Sequence, residues 1–378
     1  MNKKRVVKAA IRVAGMLLMI FLVPPVVSQE TETSFRPALP GYDYRFPRDF
    51  YSHDDFRIEW WYYTGHMEDA AGRSFGYQLT FFRVALDGKG KVKNASQWKI
   101  DHIYFAHMTL SDIENEKFYF FERINRAGLG QAGAESDQLK VWNEDWSLTE
   151  GKNSHHLKAR EGEAAFDLKL TPSKPLVIHG RDGVSQKGEA LGNASHYFTF
   201  PRMQTEGQVT LKGKNYRVKG LSWMDHEFSS NQLNEEQIGW DWFSVQLDNG
   251  TELMLYQIRK KNGTIEKNSS GTWVDADGMG THLVLSEYSI QSEGQWVSEQ
   301  SGTTYPAEWT LEVPKYGVRL KVTPEMANQE LHNLRSIATS YWEGSVNVSG
   351  TVKGQPVTGK GYVELVGYTQ PLKQELPE

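Results

Sequence analysis

The chain contains no cysteine among its 378 residues. This absence excludes a disulfide-stapled fold, a thiolate metal site, a cysteine nucleophile and a lipid-modified N-terminal cysteine. Apolar residues make up 39% of the chain and charged residues 24%, which excludes both a disordered chain and a multi-span membrane protein. A chain of this length is long enough for about two domains and can bury a core without covalent cross-links.

The first 28 residues have the layout of a secretory signal peptide. A head with five cationic residues ends at Arg12, the apolar run Val13–Val23 follows, and Pro24 and Pro25 break the helix. We therefore expect residues 1–28 to be a cleaved signal and the protein to be periplasmic or secreted. An uncleaved anchor helix is the alternative, although the apolar run is shorter than the roughly 20 residues that span a bilayer.

Loss of this segment changes the charge of the protein. Removing the five cationic residues takes the net charge from −5 to −10. An acidic exported protein is a poor partner for nucleic acid and for anionic lipid. We therefore expect no nucleic-acid partner and no integral membrane span after cleavage, and the sequence does not indicate an oligomeric state.

Long helical patterns are scarce, and segments of period two recur between glycine, asparagine and aspartate turns. With 12 Trp, 17 Tyr and 17 Phe, the composition also favours strands. The fold class predicted is all-β, and one short helix is expected at Glu325–Arg335. The clearest predicted strands are Phe56–Met67, Ser74–Ala85, Ile100–Leu110, Lys117–Ile124, Ala165–Thr171, Tyr216–Phe228, Ile238–Leu247, Glu252–Arg259, His282–Ile290, Trp309–Val313 and Tyr362–Tyr368.

One hairpin pattern occurs twice, beginning at Glu59 and at Gly239. Each copy has a pair of tryptophans, an aromatic strand, a turn from aspartate to glycine, and an aromatic return strand that ends in arginine, Arg83 or Arg259. The repeat predicts a duplicated unit. We expect an N-terminal β-barrel domain over residues 41–230 and a second over residues 231–370.

The sequence WMDHEFSS places three acid–base groups, Asp225, His226 and Glu227, at the end of an apolar strand. In an extended strand Trp223, Asp225 and Glu227 share one face, and His226 lies on the other. If the first face lines a barrel, poor solvation raises the pKa of Asp225 and allows it to donate a proton near neutral pH. The alternative is structural, with both carboxylates ending the strand and bonding to backbone or arginine.

Seven segments of the chain together carry a resemblance to a known family: EWWYYTGHM, FGYQLTFFR, WMDHEFSS, GWDWFSVQLDNGTELMLYQIR, YPAEWTLEVP, YWEGSVNVSG and GKGYVELVGY. The sequence resembles the lipocalin-like family of carotenoid 1,2-hydratase (hydroxyneurosporene synthase), and most closely its exported branch, the AttH-type proteins, also called secreted hydrolases. The resemblance spans Tyr42 to Tyr368. It implies two tandem lipocalin-like antiparallel β-barrel domains and an apolar small-molecule pocket.

The resemblance also implies a chemistry. The hydratases add water to an isolated isoprenoid double bond without a cofactor, by protonating the alkene from a carboxylic acid. The family pattern puts the acid on Asp225 and an aromatic partner on Trp223. An upstream His-x-aromatic pair falls on His196 and Phe198, the first to orient the acid or the water and the second to stabilise the cation.

Two functions of different classes follow. The first is a cofactor-free lyase of the hydratase type, with Asp225, Trp223 and His196 as catalytic residues. Its substrate-binding residues would be Phe198, His226 and Glu227, and the substrate an isoprenoid or lipid-like small molecule. The second is a non-catalytic carrier of a hydrophobic ligand in the periplasm, or a cell-envelope attachment protein. Neither requires a metal or an organic cofactor.

Overall fold

The structure is a computed structural model, and it describes residues 35–86 and 101–371. The expected signal peptide, residues 1–28, lies outside these residues. In the part of the chain described, no helix has the length and apolar character needed to cross a membrane. Its helical segments are four short 3₁₀ turns, at Arg48–Phe50, Ile113–Asn115, Leu285–Glu287 and Pro314–Tyr316.

The first sheet contains thirteen strands from the N-terminal part of the chain. Its strands are β1 (Ile58–Asp69), β2 (Ser74–Ala85), β3 (His102–Asp112), β4 (Lys117–Arg126), β5 (Ala132–Ala134), β6 (Lys140–Asn143), β7 (Trp146–Gly151), β8 (Ser154–Glu161), β9 (Ala164–Pro172), β10 (Val177–Ile178), β11 (Ser185–Gln186), β12 (Ala194–Leu211) and β13 (Lys214–Asn231). All strands pair antiparallel, and eleven form one continuous path in the order β4-β3-β2-β1-β13-β12-β9-β8-β7-β6-β5. The path curls into a nearly closed barrel, since Asn125 on β4 donates to Asn143 on β6 at 2.7 Å.

The second sheet contains ten strands and forms a curled half-barrel. Its strands are β14 (Gln237–Leu247), β15 (Glu252–Lys260), β16 (Ser270–Val274), β17 (Gly280–Val284), β18 (Ser289–Val297), β19 (Thr304–Val313), β20 (Val318–Pro324), β21 (Glu330–Leu334), β22 (Thr339–Val352) and β23 (Gln355–Val366). The order along the sheet is β17-β16-β15-β14-β23-β22-β20-β19-β18, with β21 paired to β22. The all-β prediction is confirmed.

The two sheets repeat one topology. In each, four strands form a meander, β1 to β4 or β14 to β17, and the last strand of the sheet returns to pair with the first strand of that meander. Strand β13 therefore corresponds to β23, and β12 corresponds to β22. This shared order agrees with the duplicated hairpin in the sequence. The first sheet ends at Asn231 and the second begins at Gln237, and the division into two domains at 230/231 stays a prediction.

The repeated hairpins also carry similar ion pairs. Arg83 on β2 contacts Glu59 on β1 (Nε to Oε2, 3.1 Å), and Arg259 on β15 contacts Asp241 on β14 (Nε to Oδ1, 3.1 Å). The Glu59 carboxylate also accepts from the His53 backbone N–H (2.9 Å) and the His226 ring (2.8 Å). Since both members of the Glu59 pair are fully buried, these bonds supply the solvation that water would otherwise give.

Two apolar cores lie on the inner faces of the sheets. The barrel of the first sheet is filled by its own side chains, among them Trp61, Phe166 and Phe228. The half-barrel holds a second core that includes Trp309 and Val346. A third, mainly aromatic cluster lies where the sheets meet and draws on both of them: Tyr62, Tyr197, Trp223, Trp242, Met254, Tyr256, Ile258 and Tyr362.

Two sequence predictions in the C-terminal part are wrong. The expected helix at Glu325–Arg335 contains strand β21, because Leu331 pairs with Tyr341 on β22 and buries its side chain there. The pairing of β21 with β22 has a register shift between Leu331 and Leu334. The expected single strand His282–Ile290 is interrupted by the 3₁₀ turn Leu285–Glu287.

We predict that Glu59→Gln lowers the free energy of unfolding by about 3 kcal/mol or more, because it leaves the buried Arg83 charge uncompensated. The matched control is Glu206→Gln, which removes a carboxylate from an exposed pair with Lys169 and should cost less than about 1 kcal/mol. Urea denaturation of both variants measures the difference. Equal losses in the two variants would contradict the stabilising role of the Glu59 pair.

Candidate active site

Strand β13 is buried on both faces from Ser222 to Ser230, and its two faces there contact different parts of the protein. Met224 and Phe228 point into the core of the first barrel. Asp225 and Glu227 point the other way, out of the barrel and towards the second sheet. The predicted alternation along this strand is confirmed, but the expected location inside a barrel is wrong.

Asp225 lines a cleft between the two sheets that has a volume of about 110 Å³. Seven of the fifteen lining residues are aromatic, and the wall draws on strands of both sheets. The residues that line the cleft are Trp60, Tyr62, Thr80, Phe82, Lys187, Tyr197, Asp225, Glu227, Gln232, Leu233, Trp240, Trp242, Tyr256, Ile258 and Glu364. A largely apolar cleft with a few convergent polar groups is typical of a site for a small hydrophobic molecule.

Two rows of cross-strand neighbours face each other at the cleft, and all of their members except Thr199 and Glu343 line it. The row on the first sheet is Thr80, Tyr62, Asp225 and Thr199, on strands β2, β1, β13 and β12. The row on the second sheet is Tyr256, Trp242, Glu364 and Glu343, on the corresponding strands β15, β14, β23 and β22. The Tyr62 hydroxyl donates to Glu343 Oε1 at 2.8 Å and links the rows directly.

The Asp225 carboxyl is held by two donors. Trp223 Nε1 donates to Oδ1 and the Tyr197 hydroxyl donates to Oδ2, both at 2.7 Å. Trp242 Nε1 in turn donates to the Tyr197 hydroxyl at 3.1 Å, so the chain of bonds reaches the second sheet. Burial raises the pKa of Asp225 to about 7, although both donors lower it in part, and the nearby Glu227 raises it further. The carboxyl is therefore divided between its acid and base forms near neutral pH.

Glu227 differs from Asp225 because it has a cationic partner. Its Oε1 lies 3.1 Å from Lys187 Nζ, accepts from Gln232 Nε2 at 2.8 Å, and accepts a further bond from Ser195. The Lys187 ammonium also lies over the ring of Tyr256 at 4.2 Å. Burial acts to lower the pKa of Lys187, but Glu227 outweighs it and the pKa is raised, which favours the ammonium form of Lys187. This part of the cleft offers polar contacts to one end of a ligand.

The second sheet supplies a further acid. Glu364 accepts from Trp240 Nε1 at 2.9 Å, and burial raises its pKa to about 7, with a smaller contribution from Glu227. Its direct cross-strand neighbour is another buried acid, Glu343. Burial first and then Glu364 raise the pKa of Glu343 well above its usual value, which favours the protonated form.

Three of the predicted site residues lie on the wrong face to meet Asp225. His196 pairs with Phe228 in register and Phe198 pairs with His226, so all four face the inside of the first barrel. His196 Nδ1 donates to the Gly183 carbonyl at 2.9 Å, and burial lowers its pKa to about 4. The grouping of Asp225 with His196, Phe198 and His226 is therefore wrong, because one residue of register reverses the face of a strand.

The structure brings together Asp225, Trp223 and Glu227 as predicted, and it adds residues that the sequence did not single out. Tyr197 lies between His196 and Phe198 and takes the position expected of them. The alternation within SHYFTFP could have indicated Tyr197, if the face with His196 and Phe198 had been assigned to the inside of the barrel. Trp242, Lys187 and Glu364 come from other strands and loops, and only the pairing of strands brings them close.

His226 belongs to a separate buried cluster inside the first barrel. Glu59 Oε1 lies 2.7 Å from His53 Nδ1 and 2.8 Å from His226 Nε2, and Asp49 Oδ1 lies 3.1 Å from His53 Nε2. The composition would suit a metal ion. The N to O distances are those of hydrogen bonds, however. The Arg83 guanidinium, which is bonded to the same carboxylate, would also repel a cation. We interpret the cluster as a structural hydrogen-bond network.

The chain has one Gly-x-Ser-x-Gly sequence, the motif of serine hydrolases, and the serine there does not have the geometry of a nucleophile. Gly72–Gly76 fits the Gly-x-Ser-x-Gly motif, but it leads into strand β2 and not into a helix, as that motif requires. Ser74 Oγ donates to Glu68 Oε1 at 3.3 Å. The His66 ring is engaged by the Gly361 carbonyl (2.9 Å) and Glu325 (3.3 Å).

The fold and the cleft together define a lipocalin-like all-β protein with a buried acid in an aromatic binding site. Comparison with known proteins gives the family. The model of the AttH-like family matches residues 37–368, and the chain belongs to this family.

Three relatives give the range of the similarity. The structure of a Nitrosomonas europaea protein described as an AttH is 34% identical, with a TM-score of 0.80, and the match covers 88% of this chain and 100% of that one. Kievitone hydratase of Fusarium solani subsp. phaseoli is 24% identical over 276 residues, 71% of this chain and 75% of its own. Dehydratase asqC of Emericella nidulans is 21% identical over 289 residues, 68% of this chain and 75% of its own.

We predict that Asp225→Asn stabilises the fold relative to wild type increasingly as pH rises from 5 to 8. The pKa of Asp225 is about 7 in the folded protein and 3.8 without the fold, so the folded chain keeps a proton that the unfolded chain releases. Between these pH values the free energy of unfolding of wild type therefore falls as pH rises, because folding then requires Asp225 to bind a proton or to be buried ionised. The total loss is up to about 4 kcal/mol above pH 7.

Urea denaturation of the two proteins at several pH values gives this difference. Asp167→Asn, at an exposed aspartate paired with Lys158, is the matched control and should show no such trend. A difference between Asp225→Asn and wild type that stays constant with pH would contradict a raised pKa at Asp225.

Proposed function

We propose that this protein is a cofactor-free lyase of the hydratase or dehydratase type, acting on a small hydrophobic molecule bound in the cleft between the two sheets. The observation that carries this proposal is the position of Asp225. It is a buried carboxyl with a pKa of about 7, and it faces a cleft rich in aromatic side chains. A general acid is most effective when its pKa lies near the working pH.

The arrangement supports proton transfer to a carbon–carbon double bond. Protonation of the alkene by Asp225 leaves a carbocation, which the electron-rich faces of the surrounding rings can stabilise. Trp60, Tyr62 and Trp242 supply such rings in the wall of the cleft. Trp223 acts through its indole N–H, which fixes the orientation of the Asp225 carboxyl.

The relatives support the same class of reaction. One is named a hydratase and another a dehydratase, which are the two directions of one chemical step. Both directions need a proton donor, a proton acceptor and a site that controls water. We propose a substrate with an isolated, electron-rich alkene, or the corresponding alcohol, with a polar group that reaches Glu227 and Lys187. The predicted signal peptide supports an exported enzyme.

A carrier of a hydrophobic ligand is the second candidate. It is favoured by the aromatic wall of the cleft and by the mutual neutralisation of Lys187 and Glu227, which together can hold a ligand without reaction. The two functions differ in what happens to the bound molecule. A lyase changes its mass by one water, and a carrier returns it unchanged.

We predict that wild type adds oxygen from ¹⁸O-labelled water to an alkene substrate and that Asp225→Asn is at least about 100-fold slower. The probes are kievitone, the compound that appears in the name of the hydratase relative, and a dimethylallyl-substituted phenol. Mass spectrometry follows the product. Asp167→Asn is the control for the same chemical change outside the cleft. Equal activity of wild type and Asp225→Asn would exclude Asp225 as the acid. Binding of the probes without turnover by any of the three proteins would favour the carrier.

A further inference from the structure

We propose that Glu364 is a second catalytic residue of this cleft, which exchanges a proton with the water or leaving hydroxyl while Asp225 exchanges a proton with carbon. The inference rests on the proposed lyase function and goes further, because it assigns one proton-transfer group to each sheet. Neither the family pattern nor the repeated hairpin in the sequence points to Glu364.

The duplication places Glu364 at the position that corresponds to Asp225. Asp225 on β13 is the direct cross-strand neighbour of Tyr62 on β1. Glu364 on β23 is the direct cross-strand neighbour of Trp242 on β14. Tyr62 and Trp242 are themselves equivalent, since each follows the first tryptophan of its hairpin by two residues. The repeat thus presents one carboxyl from each sheet to the cleft.

Contacts between the sheets hold the two walls against each other. The Tyr62 hydroxyl beside Asp225 donates to Glu343, which is the cross-strand neighbour of Glu364. Trp242 beside Glu364 donates to Tyr197, which donates to Asp225. Both carboxyls line the same cleft, so one ligand can touch both.

The two acids also have the same kind of surroundings. Each accepts a bond from an indole N–H, Trp223 for Asp225 at 2.7 Å and Trp240 for Glu364 at 2.9 Å. Within residues 35–86 and 101–371, neither has a lysine or arginine at salt-bridge distance. Burial is the main cause of a raised pKa in both, and it gives a value of about 7 for each. At neutral pH one can hold a proton while the other is ionised.

The other two acids near the cleft are less suited to this role. Glu227 is engaged by a cation, since its Oε1 lies 3.1 Å from Lys187 Nζ. Glu343 accepts from Tyr62, lies 3.4 Å from Gln78 Nε2, and does not line the cleft. Glu364 is the remaining acid that lines the cleft without a cationic partner among the described residues.

The two carboxyls account for every proton that moves in hydration and in dehydration. In hydration, protonated Asp225 gives its proton to one alkene carbon, water forms a C–O bond to the cation, and ionised Glu364 takes the proton that this water loses. In dehydration, protonated Glu364 gives a proton to the hydroxyl, the C–O bond breaks, water leaves, and ionised Asp225 takes a proton from the neighbouring carbon. Proton exchange with solvent returns both carboxyls to their starting states.

Two isotope measurements separate the roles of the acids. Incorporation of ¹⁸O from labelled water reports C–O bond formation, and incorporation of deuterium from D₂O into recovered alkene reports reversible protonation of carbon. Both measurements use the full chain and the two probes named above, kievitone and a dimethylallyl-substituted phenol. We expect Asp225→Asn to lose both signals, and Glu364→Gln to lose ¹⁸O incorporation by at least about 100-fold while deuterium exchange continues.

Glu364→Asp keeps a carboxyl and should recover part of the ¹⁸O incorporation, which separates a chemical role from loss of packing. Glu206→Gln, an exposed glutamate outside the cleft, is the matched control and should behave as wild type. Normal ¹⁸O incorporation by Glu364→Gln, or loss of both signals in Glu364→Gln and Glu364→Asp alike, would overturn the role of Glu364 and leave Asp225 as the acid. Absence of both signals in wild type would instead contradict the lyase function itself.

Discussion

A chain of hydrogen bonds from Trp242 through Tyr197 to Asp225 crosses the boundary between the two sheets, and the candidate site depends on it. These hydrogen bonds stabilise the buried carboxyl, because a carboxyl removed from water needs either a counter-ion or hydrogen-bond donors. Here the donors are neutral. They hold the carboxyl in place without fixing a charge on it, and the pKa of Asp225 stays near neutrality.

Duplication explains where the cleft lies. Each sheet buries an apolar core on its inner face, so the inside of the first barrel is occupied by its own side chains. The outer faces of β13 and β23 then meet at the centre of the molecule and supply polar groups from both repeats. The two sheets differ in what they bury. Glu59 accepts four hydrogen bonds from His53, His226 and Arg83, whereas Asp241, two residues beyond the position that corresponds to Glu59, contacts Gln257, Arg259 and Tyr368.

Much of this arrangement could be predicted from the sequence, and the errors have a common cause. Strands β1, β2, β3, β14 and β15 were predicted with small errors in their ends, and Ser74–Ala85 matches β2. Strand β22 was not among the predicted strands, and Tyr362–Tyr368 overlaps only the C-terminal part of β23. Alternation correctly grouped Trp223 with Asp225 and Glu227. It did not indicate which face of β13 was the inner one, because both faces are buried, and His196 and Phe198 were therefore expected on the wrong side. Glu364 is a lone acid in an apolar strand, and only its register with β14 shows what it faces.

The most direct test of this account is the ionisation of Asp225 itself. A ¹³C NMR titration of protein labelled at the aspartate carboxyl carbons, compared with Asp225→Asn to assign the signal, follows the protonation of this one group. The account predicts that the signal missing from the variant titrates near pH 7. A midpoint near 3.8, the value of an unperturbed aspartate, would show a solvated or charge-paired carboxylate and would contradict a neutral acid in the cleft between the sheets.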